Sequence, residues 1–170
     1  VLLWQLGAVS IGEEVLLVSP FKVVQRLSQL IFDTAYWGTI LFSFKRITGG
    51  FLLALITGTS LAVLSYRFRP FEVFLWPYIS IIKATPVASF VILCLIWLSS
   101  SSLPVFIAFL MAVPIIYTNM LAGFKSTDKK MLEMAEIFRF SFGKKLLYIY
   151  FPQVKSHFVS ACSVSLGLSW

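Results

Sequence analysis

Apolar and polar positions alternate along this chain in three different registers, and each register predicts a different relation to a lipid bilayer. Residues Val1 to Gly12 carry no charge and stop at Glu13-Glu14. A bilayer-crossing helix needs roughly 20 apolar residues, so this stretch reads as the tail of a first span. From Ser19-Pro20 the pattern becomes amphipathic: Val23, Val24, Leu27, Leu30 and Ile31 recur at helical spacing, with Lys22, Gln25, Arg26, Gln29 and Asp33 on the other face. Serine followed by proline supplies a helix cap and a first helical residue that needs no hydrogen-bond partner. Residues 20–42 are therefore expected to form an amphipathic helix lying in the membrane interface.

The third register is unbroken apolar sequence. Residues 47–66 hold no charge, and Gly50, Ala54, Gly58 and Ala62 fall four apart, a stripe that lets another helix approach closely. The run from Val73 to Leu98 is interrupted by Lys83-Ala84-Thr85-Pro86. Proline lacks a backbone donor and lysine is costly at membrane depth, so this helix is expected to kink or break where it faces protein or water. Leu103 to Phe124 is apolar again, with Pro114, Tyr117, Thr118 and Asn119 inside it, and a last run begins at His157. A buried asparagine needs a partner, so Asn119 faces either a neighbouring helix or a polar pathway. The expected fold is all-α: a polytopic membrane helical bundle with complete spans near 47–66, 73–98 and 103–124, truncated at both ends.

Composition agrees with a membrane protein. Hydrophobic residues make up 59% of the 170 and charged residues 12%, with a mean hydropathy of +0.91; soluble domains carry roughly twice that charged fraction. The net charge of +7 comes from basic residues at the ends of apolar runs, which anchor beside lipid head groups. The partner implied is the bilayer, not nucleic acid. Alternating spans put Arg67, Arg69, Lys125, Lys129, Lys130, Arg139, Lys144, Lys145 and Lys155 on one side and only Lys22, Arg26, Lys45 and Arg46 on the other. By the positive-inside rule the first side is cytoplasmic.

No chemistry beyond transport is expected of these residues. The seven acidic residues and single histidine form no constellation within a span, so catalytic, metal and cofactor sites are all expected to be absent, and the chain is not expected to be an enzyme. The lack of a carboxylate deep in a span argues against a proton-coupled carrier. Cys94 and Cys162 sit inside apolar runs and read as small core residues.

The stretch from Met131 to Gln153 then stands out. It is a charged island between apolar runs, hence a loop outside the bilayer, yet Leu132, Ile137, Phe138, Phe140, Phe142, Leu146, Leu147, Ile149 and Phe151 make it oily. Such a loop folds back on its own protein or docks into a partner.

Glu133, Ala135, Ile149 and Phe151-Pro152 resemble the cytoplasmic signature of permease subunits of bacterial ABC importers, in which E-A-A is followed by a spaced Gly and then by I-x-L-P. Met134 stands for the middle Ala, Phe151 for Leu and Arg139 for the Gly. The last change removes the residue best able to take positive φ between two helices, so either the turn shifts towards Gly143 or Arg139 adopts an unfavourable backbone. Ser19-Pro20, Phe42 to Arg46 leading into Gly49-Gly50-Phe51, Lys83 to Pro86, and Asn119 to Gly123 before Lys125 extend the resemblance to the branch associated with nitrate, sulfonate, taurine and related small anions, or with thiamine precursors.

The resemblance implies the fold of a type I ABC importer permease in the bacterial cytoplasmic membrane. It also implies a second permease subunit, as a homodimer, two ABC ATPase subunits and an extracytoplasmic substrate-binding protein. In that family the loop, here residues 125–155, is a helix-turn-helix seated in a groove of the ATPase. Leu132, Glu133, Ala135, Glu136 and Phe138 would touch the ATPase, with Arg139, Gly143, Ile149 and Pro152 shaping the loop. Lys83, Thr85, Pro86, Tyr117 and Asn119, the unusual groups near membrane depth, are the candidate translocation pathway. The other class open to this sequence is a secondary carrier or membrane scaffold whose oily loop packs internally.

Overall fold

The computed structural model describes residues 2–11, 17–85 and 87–170, without the side chains of residues 2, 3, 6, 11, 87–90 and 142. Every regular element among them is helical: α1 (Leu2–Ile11), α2 (Pro20–Leu30), α3 (Thr34–Arg67), α4 (Arg69–Ala84), α5 (Val87–Trp97), α6 (Leu103–Lys125), α7 (Lys129–Ile137), α8 (Phe142–Lys145), a π-helical turn (Leu146–Tyr150) and α9 (Phe151–Ser169). Residues 1–44 form one unit and residues 45–170 a second.

In the first unit Ser19 caps α2 from an extended backbone, its hydroxyl accepting the Lys22 N–H at 3.4 Å, with Pro20 as the first helical residue. No residue of α2 is buried. The segment 20–42, expected as one helix, is divided: α2 stops at Leu30 and α3 starts at Thr34. The physical reason is Asp33, whose carboxylate accepts the Ala35 N–H at 2.9 Å and so starts a new helix. The Trp37 indole N–H, bonded to the Ile31 carbonyl at 2.8 Å, closes the turn.

The second unit is built on α6, whose Ala108, Ala112, Val113, Pro114, Ile116, Tyr117, Met120, Leu121 and Gly123 are all buried. The small-residue stripe of α3 packs on it. Gly50, Ala54, Gly58 and Ala62 are buried, and a side chain on Gly50 would run into the Val105 carbonyl and the Ala108 Cβ, while one on Gly58 would meet Ile116 Cγ2 at 3.0 Å. Backbone-to-backbone approach of this kind is how apolar helices gain dispersion energy where lipid removes the hydrophobic driving force. On another face α9 lies along α6, with the His157 ring over Gly123 and with Val154, Ala161 and Ser165 buried.

Among the described residues two helices, Thr34–Arg67 and Leu103–Lys125, are long and apolar enough to cross a membrane. The apolar run 73–98 is not one continuous helix, as expected from the Lys83–Pro86 interruption. It is split between the 16-residue α4 and the 11-residue α5.

Candidate functional site

The split lies at Thr85. Its backbone leaves the helix at φ −78°, ψ 124°, the extended region into which a following proline forces a residue. Its N–H still reaches the Ile81 carbonyl at 3.0 Å and its hydroxyl bonds the same oxygen at 2.8 Å. Pro86 itself lies outside the described residues.

Beside this break a cavity of about 300 Å³ opens between α4, α5, α6 and the end of α9, walled by Ile81, Ile82, Val91, Ile107, Leu110, Met111, Pro114, Ile115 and Leu168. Lys83 and Thr85 are the polar residues of its lining. Lys83 is exposed, and no ion pair is formed by it among the described residues. Met111, Ile115 and Asn119 follow one another at i+4 on a single face of α6, so Asn119 sits one turn beyond the cavity wall. Its amide donates to the Ile115 carbonyl at 2.9 Å. Tyr117 faces elsewhere: it is wholly buried, and its hydroxyl donates to Ser65 Oγ on α3 at 3.0 Å.

The loop that follows α6 is held at every joint. Asp128 caps α7 from an extended backbone by accepting the Lys130 N–H at 2.9 Å. At the other end Arg139 has φ 52°, its N–H bonds the Glu136 carbonyl at 2.9 Å and the Phe140 N–H bonds the Ala135 carbonyl at 2.8 Å. This pair of bonds is a Schellman motif with arginine in the left-handed position that glycine normally takes. The turn therefore stays at Arg139. Gly143 has open space where a side chain would be and plays no part in it.

Beyond the turn the chain is helical from Phe142 through Pro152 into α9, with one π turn in which the Phe151 N–H reaches back to Leu146. A proline inside an α-helix presses on the carbonyl four residues earlier, and the wider turn just before Pro152 relieves that contact. Ile149 is buried at this turn. Tyr150 stacks edge-on against Tyr66 at 6.1 Å and Phe124 at 6.3 Å, joining the ends of α3 and α6 to the loop. Burial, then its hydrogen bond with Tyr66 and the charges of Tyr66 and Glu136, push the Tyr150 phenol up to about 12.

Three side chains link the loop across its own turn or to neighbouring helices. Gln153 Oε1 accepts the Asp128 N–H at 2.8 Å while its amide nitrogen lies 3.4 Å from Met131 Sδ. Lys145 meets Glu136 at 3.5 Å, and Lys125 meets Glu72 of α4. Sequence reasoning missed Gln153 and Glu72. A lone acid opening an otherwise apolar helix and a lone amide just after Pro152 were the available signals.

The two sides of α7 differ. Ala135 is wholly buried and Leu132 half-buried, whereas Glu133, Glu136 and Arg139 are exposed. Ile137 is 80% exposed and Phe138 67%. Pro152 is also exposed.

Residues 50–170 match the family of binding-protein-dependent transport system inner membrane components. The chain belongs to that family. The permease is also 24% identical to a Methanocaldococcus jannaschii protein named as an ABC transporter permease, over all of this chain and 66% of that protein. It is 26% identical to the bicarbonate transport system permease protein of Synechococcus elongatus, over 79% of this chain and 49% of the relative. It thus spans between about half and two thirds of the length of these curated relatives. The family is one of transport permeases, and every regular element among the described residues is helical.

Proposed function

We propose that this permease is one wall of the pathway of an ATP-driven importer, a multi-pass subunit of the cytoplasmic membrane. Residues 125–155 form the cytoplasmic segment by which an ABC ATPase drives it. The observation that carries this reading is the form of α7. It is a short helix stopped by full caps at both ends and fastened to α9, and it nevertheless presents Ile137 and Phe138 to solvent. Burying such side chains contributes about 1.5–3 kcal/mol each, so a groove that accepts both binds firmly. Ala135 and Ile149, in contrast, support the loop from within; their burial is what a self-packed linker would show, and Ile137 and Phe138 are what such a linker would hide.

The substrate class that fits is a small anion, which would include bicarbonate, nitrate and sulfonates. Lys83 and Thr85 at the cavity, with Asn119 one turn further along α6, would supply the positive charge and the donors it needs. Pro86 would keep the break open. Tyr117 would take part as a strut that holds α6 on α3. An extracytoplasmic binding protein would deliver the anion, and a second copy of the permease would complete the pathway.

The test is the double variant Ile137→Ser/Phe138→Ser in the full-length transporter. It should reach the membrane at normal levels while losing co-purification of the ATPase and ATP-dependent uptake. Retention of the ATPase at wild-type level would return α7 to the role of a self-packed linker.

A further inference from the structure

A helix that begins with a capping residue has a second orphan to satisfy, the N–H of the cap itself. In a capping box the side chain three residues on does this, and it is normally Glu or Gln. In α7 the cap is Asp128 and the third helical residue is Met131, which has no acceptor strong enough for the task. The Asp128 N–H is instead satisfied from another helix: Gln153, in the first turn of α9, accepts it at 2.8 Å. The orientation of the amide follows, since an N–H donor requires the oxygen, and this turns the amide nitrogen towards Met131 Sδ at 3.4 Å. Gln153 is half-buried and follows directly on Pro152 and the π turn, where the wall of α9 begins.

We infer that Gln153 completes the capping box of α7 from outside it, and that this makes it a positioning residue for coupling: it ties the loop helix to the wall helix it must move. The inference rests on the proposed role of α7 as the ATPase contact. A cap formed within α7 would stabilise the helix equally well and leave its N-terminal end without a bond to α9, the Glu136–Lys145 pair and the turn at Arg139 holding only the other end. A cap supplied by α9 makes a displacement of α7 a displacement of α9. Since α9 packs along α6 through His157 on Gly123, and the middle of α6, at Leu110, Met111, Pro114 and Ile115, lines the cavity together with Leu168 at the end of α9, the tie gives α7 a mechanical line to that cavity.

The local and the mechanical roles separate experimentally. Gln153→Met keeps the length and apolar stem of the side chain and removes the acceptor. Adding Met131→Gln to it restores a capping box within α7 but no tie to α9. Both are made in the full-length transporter with its ATPase, with Cys94 and Cys162 replaced by Ser and a reporter cysteine at Lys83. The readouts are hydrogen exchange of the Asp128 amide segment and maleimide labelling of the reporter without nucleotide and after trapping with ATP and vanadate. Gln153→Met should speed exchange at the start of α7 by about 2- to 10-fold, the range of one net hydrogen bond. It should also remove most of the nucleotide-dependent change in labelling while the ATPase still co-purifies. The double variant should recover slow exchange and not the labelling change.

A wild-type labelling response in Gln153→Met overturns the inference, as does full recovery of that response in the double variant, which would make Gln153 a cap and nothing more. If the ATPase fails to co-purify even with unsubstituted Gln153, it is the role of α7 as ATPase contact that falls, and the inference with it. Retained co-purification with an unchanged response removes the tie alone.

Discussion

Helices α3 and α7 are built by the same device and left in opposite circumstances. Each lays small residues against a neighbour: Ala54 and Ala62 of α3 and Ala135 of α7 are wholly buried. Each also turns large apolar side chains outwards, Leu52, Leu53, Ile56 and Val63 on α3 and Met134, Ile137 and Phe138 on α7. The 34 residues of α3 include a long charge-free stretch that lipid can cover. The nine residues of α7 carry Lys129, Lys130, Glu133 and Glu136 among the apolar ones, so lipid cannot cover them, and a protein surface can. An exposed apolar side chain is thus read by the length and charge of the helix that carries it.

The largest test of this comparison is on the α3 side. Gly50→Leu places a side chain where the Val105 carbonyl and Ala108 already lie, and neither backbone can give way without parting the helices. Thermal unfolding of the purified protein should show a loss at the upper end of about 1–3 kcal/mol, and an unshifted transition would mean that the stripe is not a packing seam. Tyr117→Phe is milder. It removes the hydroxyl that Ser65 receives inside the same seam, and the expected loss is about 1 kcal/mol, the scale of hydrogen bonds between membrane helices.

On the α7 side the effects shrink or change sign. Arg139→Gly relieves a left-handed backbone that costs an L-residue about 1–2 kcal/mol, offset in part by the greater freedom of glycine in the unfolded chain. It should therefore slow hydrogen exchange at Ala135 to Phe140 slightly, whereas faster exchange there would show that Arg139 contributes contacts outweighing its backbone. Phe138→Ser should change folding stability by no more than about 0.5 kcal/mol, because the ring is mostly in solvent. A larger loss would place Phe138 in the core and bring α7 into line with α3.

Both turns of consequence were legible to different depths. The interruption at Thr85 was readable from Pro86, because a proline constrains the residue before it whatever the surroundings. At Arg139 the residues allowed two outcomes, a shift to Gly143 or a strained arginine. The choice was made by Phe140 and Arg139 donating to the last carbonyls of α7, bonds that hold the turn in place and supply what the backbone strain costs. The division of residues 20–42 escaped notice because the apolar spacing continues past Asp33 and hides a cap within it.

What the sequence determined by itself was whatever depends on neighbours along the chain: helical periodicity, charge-free length, the small-residue stripe, the pre-proline break and the order of motifs that led to the family. Tertiary structure alone decided which side of each helix meets which partner. Ala135 and Ile149 belong to the interior while Ile137 and Phe138 do not; Tyr117 is committed to Ser65, 52 positions away; and the cap of α7 is completed by Gln153, 25 positions on. Local sterics act over one helical turn and are written in adjacent letters. A hydrogen bond between helices depends on how they are brought together in space, and no local spacing encodes that.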